Sequence, residues 1–402
     1  MTAEEFFVNF NVPQYTGEGD VLPIYPCGSG NYQLCIKGAR TEDFLEYTQA
    51  FGKAGFSRIS QNSICKNIFE RYESFDYSAY VVFMPDILTL RIICGPKISP
   101  CSRDISGNAV TRPAVVQLGI KLGMCYSIIL ADGTFLMVDG GVANEADVDM
   151  IYEFLCSHTP NGKRPLIRAW FMTHTHPDHT RIAESFCEKY HGEVDVLEAI
   201  YNFPDFANVT VLRESAENNR LNAERFADTV RRCYPNATHT VCHTGDVIEF
   251  SGVKVTTLIT HEDVYPIPIV SSNHTSSAWR FDFEGGASFV CLGDIWTQAC
   301  EQLAKTFSAE YLKADIMQVT HHGLLGGHID LYRAVDPEIV LWPSPEDRFA
   351  GRYVDAKREE IGKPTVQYCI GEGGCDYNVW IRDQSIKERK HYHAGKTVVL
   401  PV

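Results

Sequence analysis

No two of the 14 cysteines form a Cys-x-x-Cys pair. Most sit singly inside apolar runs, such as Cys125 in Met-Cys-Tyr-Ser-Ile-Ile and Cys291 in Phe-Val-Cys-Leu, where a thiol acts as a small hydrophobe. A disulfide framework is not expected in so long a chain, and a reducing, cytoplasmic setting is. No apolar run approaches the roughly 20 residues that span a bilayer, so no membrane is expected. The N-terminus has neither a basic n-region nor a sustained apolar h-region, so a secretory signal is not expected. Basic charge is in short supply: 36 Lys and Arg face 51 Asp and Glu, for a net charge of −15. That balance argues against a broad electropositive track for nucleic acid. It leaves phosphate substrates open, because bound metal ions supply positive charge locally. No internal repeat recurs at a fixed short period.

What is present is ordinary globular composition over 402 residues, 45% apolar and 22% charged, enough for a sizeable core and for two domains. Residues 1–105 read as a small α+β domain. Tyr32–Ile36 alternates like a strand, Thr41 is expected to cap a helix that Gly55 ends, and strand-like runs follow near Ser63–Tyr72, Tyr77–Met84 and Leu88–Cys94. This segment carries no catalytic cluster and reads as a packing or substrate-shaping unit. The stretch Gly95–Gly107, rich in Pro, Ser and Gly, reads as a linker. From residue 113 to 402 strands alternate with helices, and Ile167–Met172 is apolar enough to be a strand buried on both faces. Helices are expected at Glu145–Cys156, 181–191 and 211–233, the last a polar surface helix.

Five acidic or histidine stations punctuate this second part. The strongest is His174-Thr175-His176-Pro177-Asp178-His179. His174 and His176 lie two apart, so in extended chain they point the same way. Pro177 stops the strand and can open a helix whose first turn carries Asp178 and His179. Four metal-competent side chains thus converge from six residues at the end of a core strand, and imidazole is a common ligand of zinc and other transition metals. The other stations are Asp139 in Leu-Met-Val-Asp-Gly-Gly, His274 in Asn-His-Thr-Ser, Asp294 in Phe-Val-Cys-Leu-Gly-Asp, and His321-His322-Gly323. Asp139 also has a plain structural reading, an Asx-type hydrogen bond at a strand–turn junction. His261 is a rival to His274. Adjacent side chains at a strand end point in opposite directions, so only one of His321 and His322 is expected to touch metal. Four of the five stations follow an apolar strand, where loops can vary without disturbing a core.

Together these residues resemble the ordered motifs of the metallo-β-lactamase superfamily. Within it, the likeness is to the metallo-hydrolase domain of bacterial competence (DNA-uptake) channel proteins and to phosphorylcholine esterases. The local features that carry it are Asn-x-Thr-Ser before a strand, Phe-Val-Cys-Leu-Gly-Asp, and a Leu-x-x-Asp-x-x-x-x-x-His-His-Gly pattern at Leu312–Gly323. It covers about residues 113–345 and extends towards the C-terminus. The competence domains usually carry Asn where this chain has His274, and no channel segments accompany the domain here.

The resemblance implies an αββα sandwich behind the small N-terminal α+β domain, and two divalent metal ions. Zinc is the first candidate, with manganese or iron compatible with the same ligands. His174, His176 and His274 would hold one ion, Asp178, His179 and His322 the other, with Asp294 between them and Asp139 hydrogen-bonded to a ligand. Two cations roughly 3.5–4 Å apart lower the pKa of a shared water, which attacks phosphorus or a carbonyl carbon. Asp178 would orient that water and His321 would serve the leaving group. The function so implied is a metal-dependent hydrolase acting on a phosphoester, foremost a phosphodiester. The alternatives are a lactonase, thioesterase or β-lactamase on the same metals, or a non-catalytic metal-stabilised binding protein. Tyr265, Trp296, Trp342 and Arg348 are candidates for pocket walls, with core or surface roles as the alternative.

Overall fold

Alternation with period two sorts the side chains of the N-terminal strands onto two faces. The structure, a computed structural model, describes residues 1–97, 109–209, 211, 214–323, 326–345 and 390–402. Residues 98–107 of the expected linker, and Arg348, lie outside these. The N-terminal sheet is antiparallel and runs Asp20–Val21, Asn31–Lys37, Thr89–Pro96, Tyr77–Met84, Asn67–Glu73, Ser57–Ile64, with Tyr25–Gly28 paired to Asn31–Lys37. On one face Val81, Phe83, Leu90 and Ile92 meet Phe6 and Phe10 of helix Ala3–Phe10 and Phe44, Tyr47 and Phe51 of helix Thr41–Phe51. On the other, Phe69, Val82 and Met84 pack with Ala299, Leu303 and Phe307 of the second half. Each Val, Leu, Ile, Phe or Met among them contributes about 1.5–3 kcal/mol by leaving water.

Two expectations for this region change. Thr41 is the first helical residue and not the cap: Arg40 precedes the helix, and the Asp43 carboxylate accepts its backbone N–H at 2.8 Å. The helix closes at Phe51, with Gly52 as its C-cap, and Gly55 lies in the turn beyond. The strand Ser57–Ile64 had no signal, because it is an edge strand whose side chains are almost all exposed and polar.

The second half is an αββα sandwich. One sheet runs Thr238–Val241, Glu198–Tyr201, Leu166–Met172, Phe135–Val138, Tyr126–Ile129, Ala114–Gln117, Val398–Pro401. The other runs Val247–Phe250, Val253–Ile259, Ala278–Phe283, Ser288–Cys291, Ile316–Gln318, Ile339–Pro345, Lys390–Ala394. Tyr126, Leu136, Val138 and Phe171 from the first interleave with Val255, Trp279, Phe281 and Phe289 from the second. Helices Glu145–His158, Pro177–Tyr190 and Ala216–Cys233 cover the first sheet, and Thr297–Thr306 and Ile329–Val335 cover the second. The strand Leu166–Met172 lies between parallel neighbours with its last four residues buried, which accounts for an apolar run that only Arg168 interrupts. No helix among the described residues is long and apolar enough to cross a membrane.

Besides the apolar contact of Phe69, Val82 and Met84, the two parts meet through polar contacts around the short helix His261–Val264. The Tyr25 hydroxyl and the Asn202 carboxamide each sit 2.9 Å from a ring nitrogen of His261. Gln33 donates to the Glu262 carbonyl at 3.0 Å, and Arg91 forms a buried ion pair with Asp263. Tyr265 stacks on Tyr25 at 4.7 Å.

Candidate metal centre

The end of strand Leu166–Met172 delivers the histidine motif. Thr173–Thr175 continue it without strand pairing, His176 is the extended N-cap of the next helix, and Pro177 is its first residue. Proline fits there because the first helical N–H has no partner to lose. Asp294 follows strand Ser288–Cys291, and His322 follows Ile316–Gln318. Backbone φ is 50° at His321 and 53° at His322, which turns the two side chains apart.

Five of these residues form a tight knot. Oδ2 of Asp294 lies 3.2 Å from His179 Nε2, 3.4 Å from His322 Nε2 and 3.9 Å from His174 Nε2. His322 Nε2 is 3.2 Å from Asp178 Oδ2. Two overlapping donor triads result, His174–His179–Asp294 and Asp178–His179–His322, each with its ligand atoms within 4.8 Å of one another. His176 joins at the edge, its Nδ1 3.0 Å from His174 Nε2.

The outward nitrogens show which ring atoms face the centre. Nδ1 of His179 donates to Asp139 Oδ2 at 2.6 Å, and Nδ1 of His322 donates to the Pro343 carbonyl at 2.9 Å. The Thr173 hydroxyl donates to Asp139 Oδ2 at 2.7 Å, which leaves its oxygen to accept from His174 Nδ1 at 3.0 Å. All three rings therefore present Nε2 inward. With neutral rings, lone pairs would then face each other at 3.3 Å between His179 and His322. Such contacts are repulsive unless positive charge sits between them. The buried Asp294 Oδ1 also has no hydrogen-bond partner. Imidazole and carboxylate in this arrangement fit divalent metal ions.

Without metal, the carboxylates draw protons onto His322 and His179 in its place. Burial opposes charge on His322, yet Asp294 and Asp178 outweigh it and lift the ring to about 9. Burial likewise opposes charge on His179, but Asp294, Asp139 and Asp178 raise it. Burial lowers His174, and the neighbouring His179 and His176 lower it further. Burial raises Asp139, partly offset by His179.

The remaining candidates stand elsewhere. His274 is buried against Trp296, with ring centroids 4.9 Å apart, and joins neither triad. Its Nδ1 accepts the Val270 N–H at 3.3 Å and its Nε2 has no partner. His321 receives the Asn273 amide at 3.1 Å on its Nε2 and lies 5.9 Å from Trp296. His261 has both nitrogens engaged at the contact between the two halves. Trp342 is core, and Tyr265 belongs to that same contact.

Two participants went unread in the sequence. Thr173 sits one residue before the motif, where a hydroxyl beside a buried Asp could have been suspected. Glu214 lies far from any motif, yet its Oε2 is 3.0 Å from His176 Nε2.

No described protein family matches the sequence, and no curated protein does. Among solved structures, the chain is similar to a CmlA β-hydroxylase mutant at 12% identity and a TM-score of 0.42, over 73% of this chain and 54% of that one. The chain thus spans about half the length of CmlA. It is also similar to the metallo-β-lactamase fold protein YhfI from Bacillus subtilis, at 12% identity and a TM-score of 0.39, over 71% of this chain and 99% of that one. A B3 metallo-β-lactamase with an active-site glutamic acid matches at 13% identity and a TM-score of 0.32, over 64% of this chain and 93% of that one.

Proposed function

We propose that the protein is a binuclear metal-dependent hydrolase of phosphoesters, with phosphodiesters foremost and zinc as the first candidate metal. The observation that carries this reading is the pair of donor triads sharing His179, with three imidazole Nε2 atoms gathered on Asp294. When bound, two divalent ions supply Lewis acidity that activates water and neutralises charge developing on the substrate.

Asp294, His179 and His322 form the floor of the centre. Asp178 is the more open carboxylate, with its side chain 35% exposed against 2% for Asp294. It is placed to accept a proton from an incoming water while its Oδ2 stays fixed by His322. His321 stands beside His322, ring centroids 6.2 Å apart, and is half-buried, so it can hold or deliver a proton at the leaving-group side. Trp296 flanks His274 and His321 and screens that side from water. Preference for phosphoesters rests on charge, since a phosphodiester carries its anion into the transition state, where cations stabilise it best. The local sequence likeness to phosphorylcholine esterases points the same way.

The test is turnover of bis(p-nitrophenyl) phosphate, p-nitrophenyl phosphate, a lactone and a chromogenic β-lactam by protein loaded with zinc or manganese. Hydrolysis of the diester, lost in Asp178→Asn, is expected. No turnover of either phosphoester would overturn the reading, and turnover of the lactone or β-lactam alone would transfer it to acyl chemistry.

A further inference from the structure

His176 reaches the centre with one nitrogen and a carboxylate with the other. Its Nε2 lies 3.0 Å from Glu214 Oε2, and its Nδ1 lies 3.0 Å from His174 Nε2. Glu214 comes from the segment that leads into helix Ala216–Cys233, some forty residues past the motif. Its carboxylate is held by groups that can only donate to it or that do so here. The Ser272 N–H donates to Oε2 at 3.0 Å, the Asn219 side-chain amide donates to Oε2 at 3.1 Å, and the Ser271 hydroxyl donates to Oε1. The Thr175 hydroxyl, inside the motif, contacts both Asn219 at 3.3 Å and Ser272 at 2.8 Å. Glu214 is therefore the hub of a network joining the motif loop, the helix Ala216–Cys233 and the turn Ser272–Thr275.

We infer that Glu214 is a positioning residue of the metal centre: it accepts Nε2–H of His176 and leaves Nδ1 as the lone pair turned towards the metal. The inference rests on the metal-centre reading. The chemistry is direct. A carboxylate surrounded by donors has no proton to give, so the ring nitrogen facing it must carry one. A neutral imidazole has a single proton, so Nδ1 is left free to ligate. His174, His179 and His322 are oriented the opposite way, with Nδ1 outward, by Thr173, Asp139 and Pro343. His176 is thus the one imidazole of the knot turned about, and Glu214 is what turns it. Because Glu214 also holds Ser271 and Ser272, it ties the placement of His176 to the turn that carries His274.

The experiment uses the full chain as wild type, Glu214→Gln and Glu214→Asp, labelled with 15N at histidine. Long-range 1H–15N spectra of metal-free protein read the His176 tautomer, and chelator competition with zinc reads both affinities. Wild type is expected to show the Nε2–H form. In Glu214→Gln an amide group meets the same crowd of donors, so that form gives way to a mixture. Affinity for one of the two ions falls about 10–100-fold while the other is kept. Glu214→Asp keeps the charge, and it is expected to keep the tautomer and recover much of the affinity. It also serves as the informative variant if the Gln variant does not fold. An unchanged tautomer with both affinities unchanged in Glu214→Gln overturns the inference. So does a wild type that binds less than one zinc per chain, which overturns the metal-centre reading as well. Two tightly bound ions without phosphoester turnover would overturn only the substrate assignment.

Discussion

Asp139 Oδ2 accepts a 2.6 Å hydrogen bond from Nδ1 of His179, and it does so from a backbone in the left-handed region, φ 55°. The turn is pinned from both sides: Trp170 donates its indole N–H to the Asp139 carbonyl at 3.0 Å, and the Thr173 N–H reaches Oδ1 at 2.8 Å. Asn tolerates the left-handed region, so Asp139→Asn keeps the backbone. The substitution replaces one acceptor oxygen with an amide N–H among three donors, the Thr173 N–H and hydroxyl and His179 Nδ1. His179 then loses the anchor that keeps Nε2 inward. Zinc affinity is expected to fall about 10–100-fold, read by chelator competition. Retention of wild-type affinity would show that His179 is held by packing alone.

Metal should stabilise the fold, because the centre concentrates like lone pairs and carboxylates that only cations reconcile. A ligand present at 100 times its Kd and binding only the folded state adds about 2.7 kcal/mol. The thermal midpoint should therefore rise by a few degrees on adding zinc or manganese to chelator-treated protein. Asp294→Asn, which removes the carboxylate shared by His174, His179 and His322, should abolish most of that rise. A wild-type midpoint insensitive to every divalent ion would contradict the fit of the site to metal.

Below His322 the chain is shaped by a glycine. Gly323 has φ 71°, and a Cβ there would stand 2.3 Å from a ring carbon of Trp342, itself 1% exposed. Gly323→Ala must therefore shift either the backbone that aims His322 or a buried indole. A destabilisation of about 1–3 kcal/mol is expected from the overpacking. Loss of metal content should accompany it, since His322 cannot hold its bond to the Pro343 carbonyl after the shift. Urea midpoints and elemental analysis check the two effects separately. A stable variant with full metal content would place the strain elsewhere.

What the sequence revealed and what it concealed divide along physical lines. Leu166–Met172 was legible, because burial on both faces leaves an apolar run within a few residues, and Tyr77–Met84 was legible as a strand-like run. The strands Glu198–Tyr201 and Thr238–Val241 were not, since Glu198 and the run Thr238-His239-Thr240 leave no apolar signature. The αββα arrangement was implied by the family resemblance that the ordered stations carry. At the centre, the convergence of His174, Asp178 and His179 was local and readable. Of the outward contacts only that of Asp139 was anticipated, through the resemblance; Thr173, Pro343 and Glu214 contact the other rings through the fold. His261 illustrates the converse. It was a rival to His274 as a ligand, whereas in the fold it bonds Tyr25 and Asn202.

The acids beside His261 have a separate consequence for pH. Glu262 is buried, and its Oε2 lies 2.9 Å from Nδ1 of the equally buried His243, over which the Tyr80 ring sits at 3.9 Å. Burial pushes Glu262 up, but the His243 charge outweighs it and brings the carboxyl from 4.5 down to about 2. Burial pushes His243 down, but Glu262 outweighs it, so the ring is raised above its ordinary 6.5. Asp246 adds to that rise and Arg71 opposes it. The signs follow by linkage. The Glu262 contribution is fully present above pH 4.5 and is lost as pH falls towards 2. The His243 contribution is fully present below pH 6.5 and is lost as pH rises through its raised folded value. The pair therefore stabilises most between pH 4.5 and 6.5. In that window His243→Gln, which leaves Glu262 buried without its cation, should cost about 3–5 kcal/mol. The gap between wild type and variant should narrow on both sides. Urea midpoints of chelator-treated protein from pH 3 to 9 measure it, and because both proteins carry the same histidine knot, its own titration cancels in the difference. A gap that does not vary with pH would mean that His243 is held neutral and acts by packing against Tyr80.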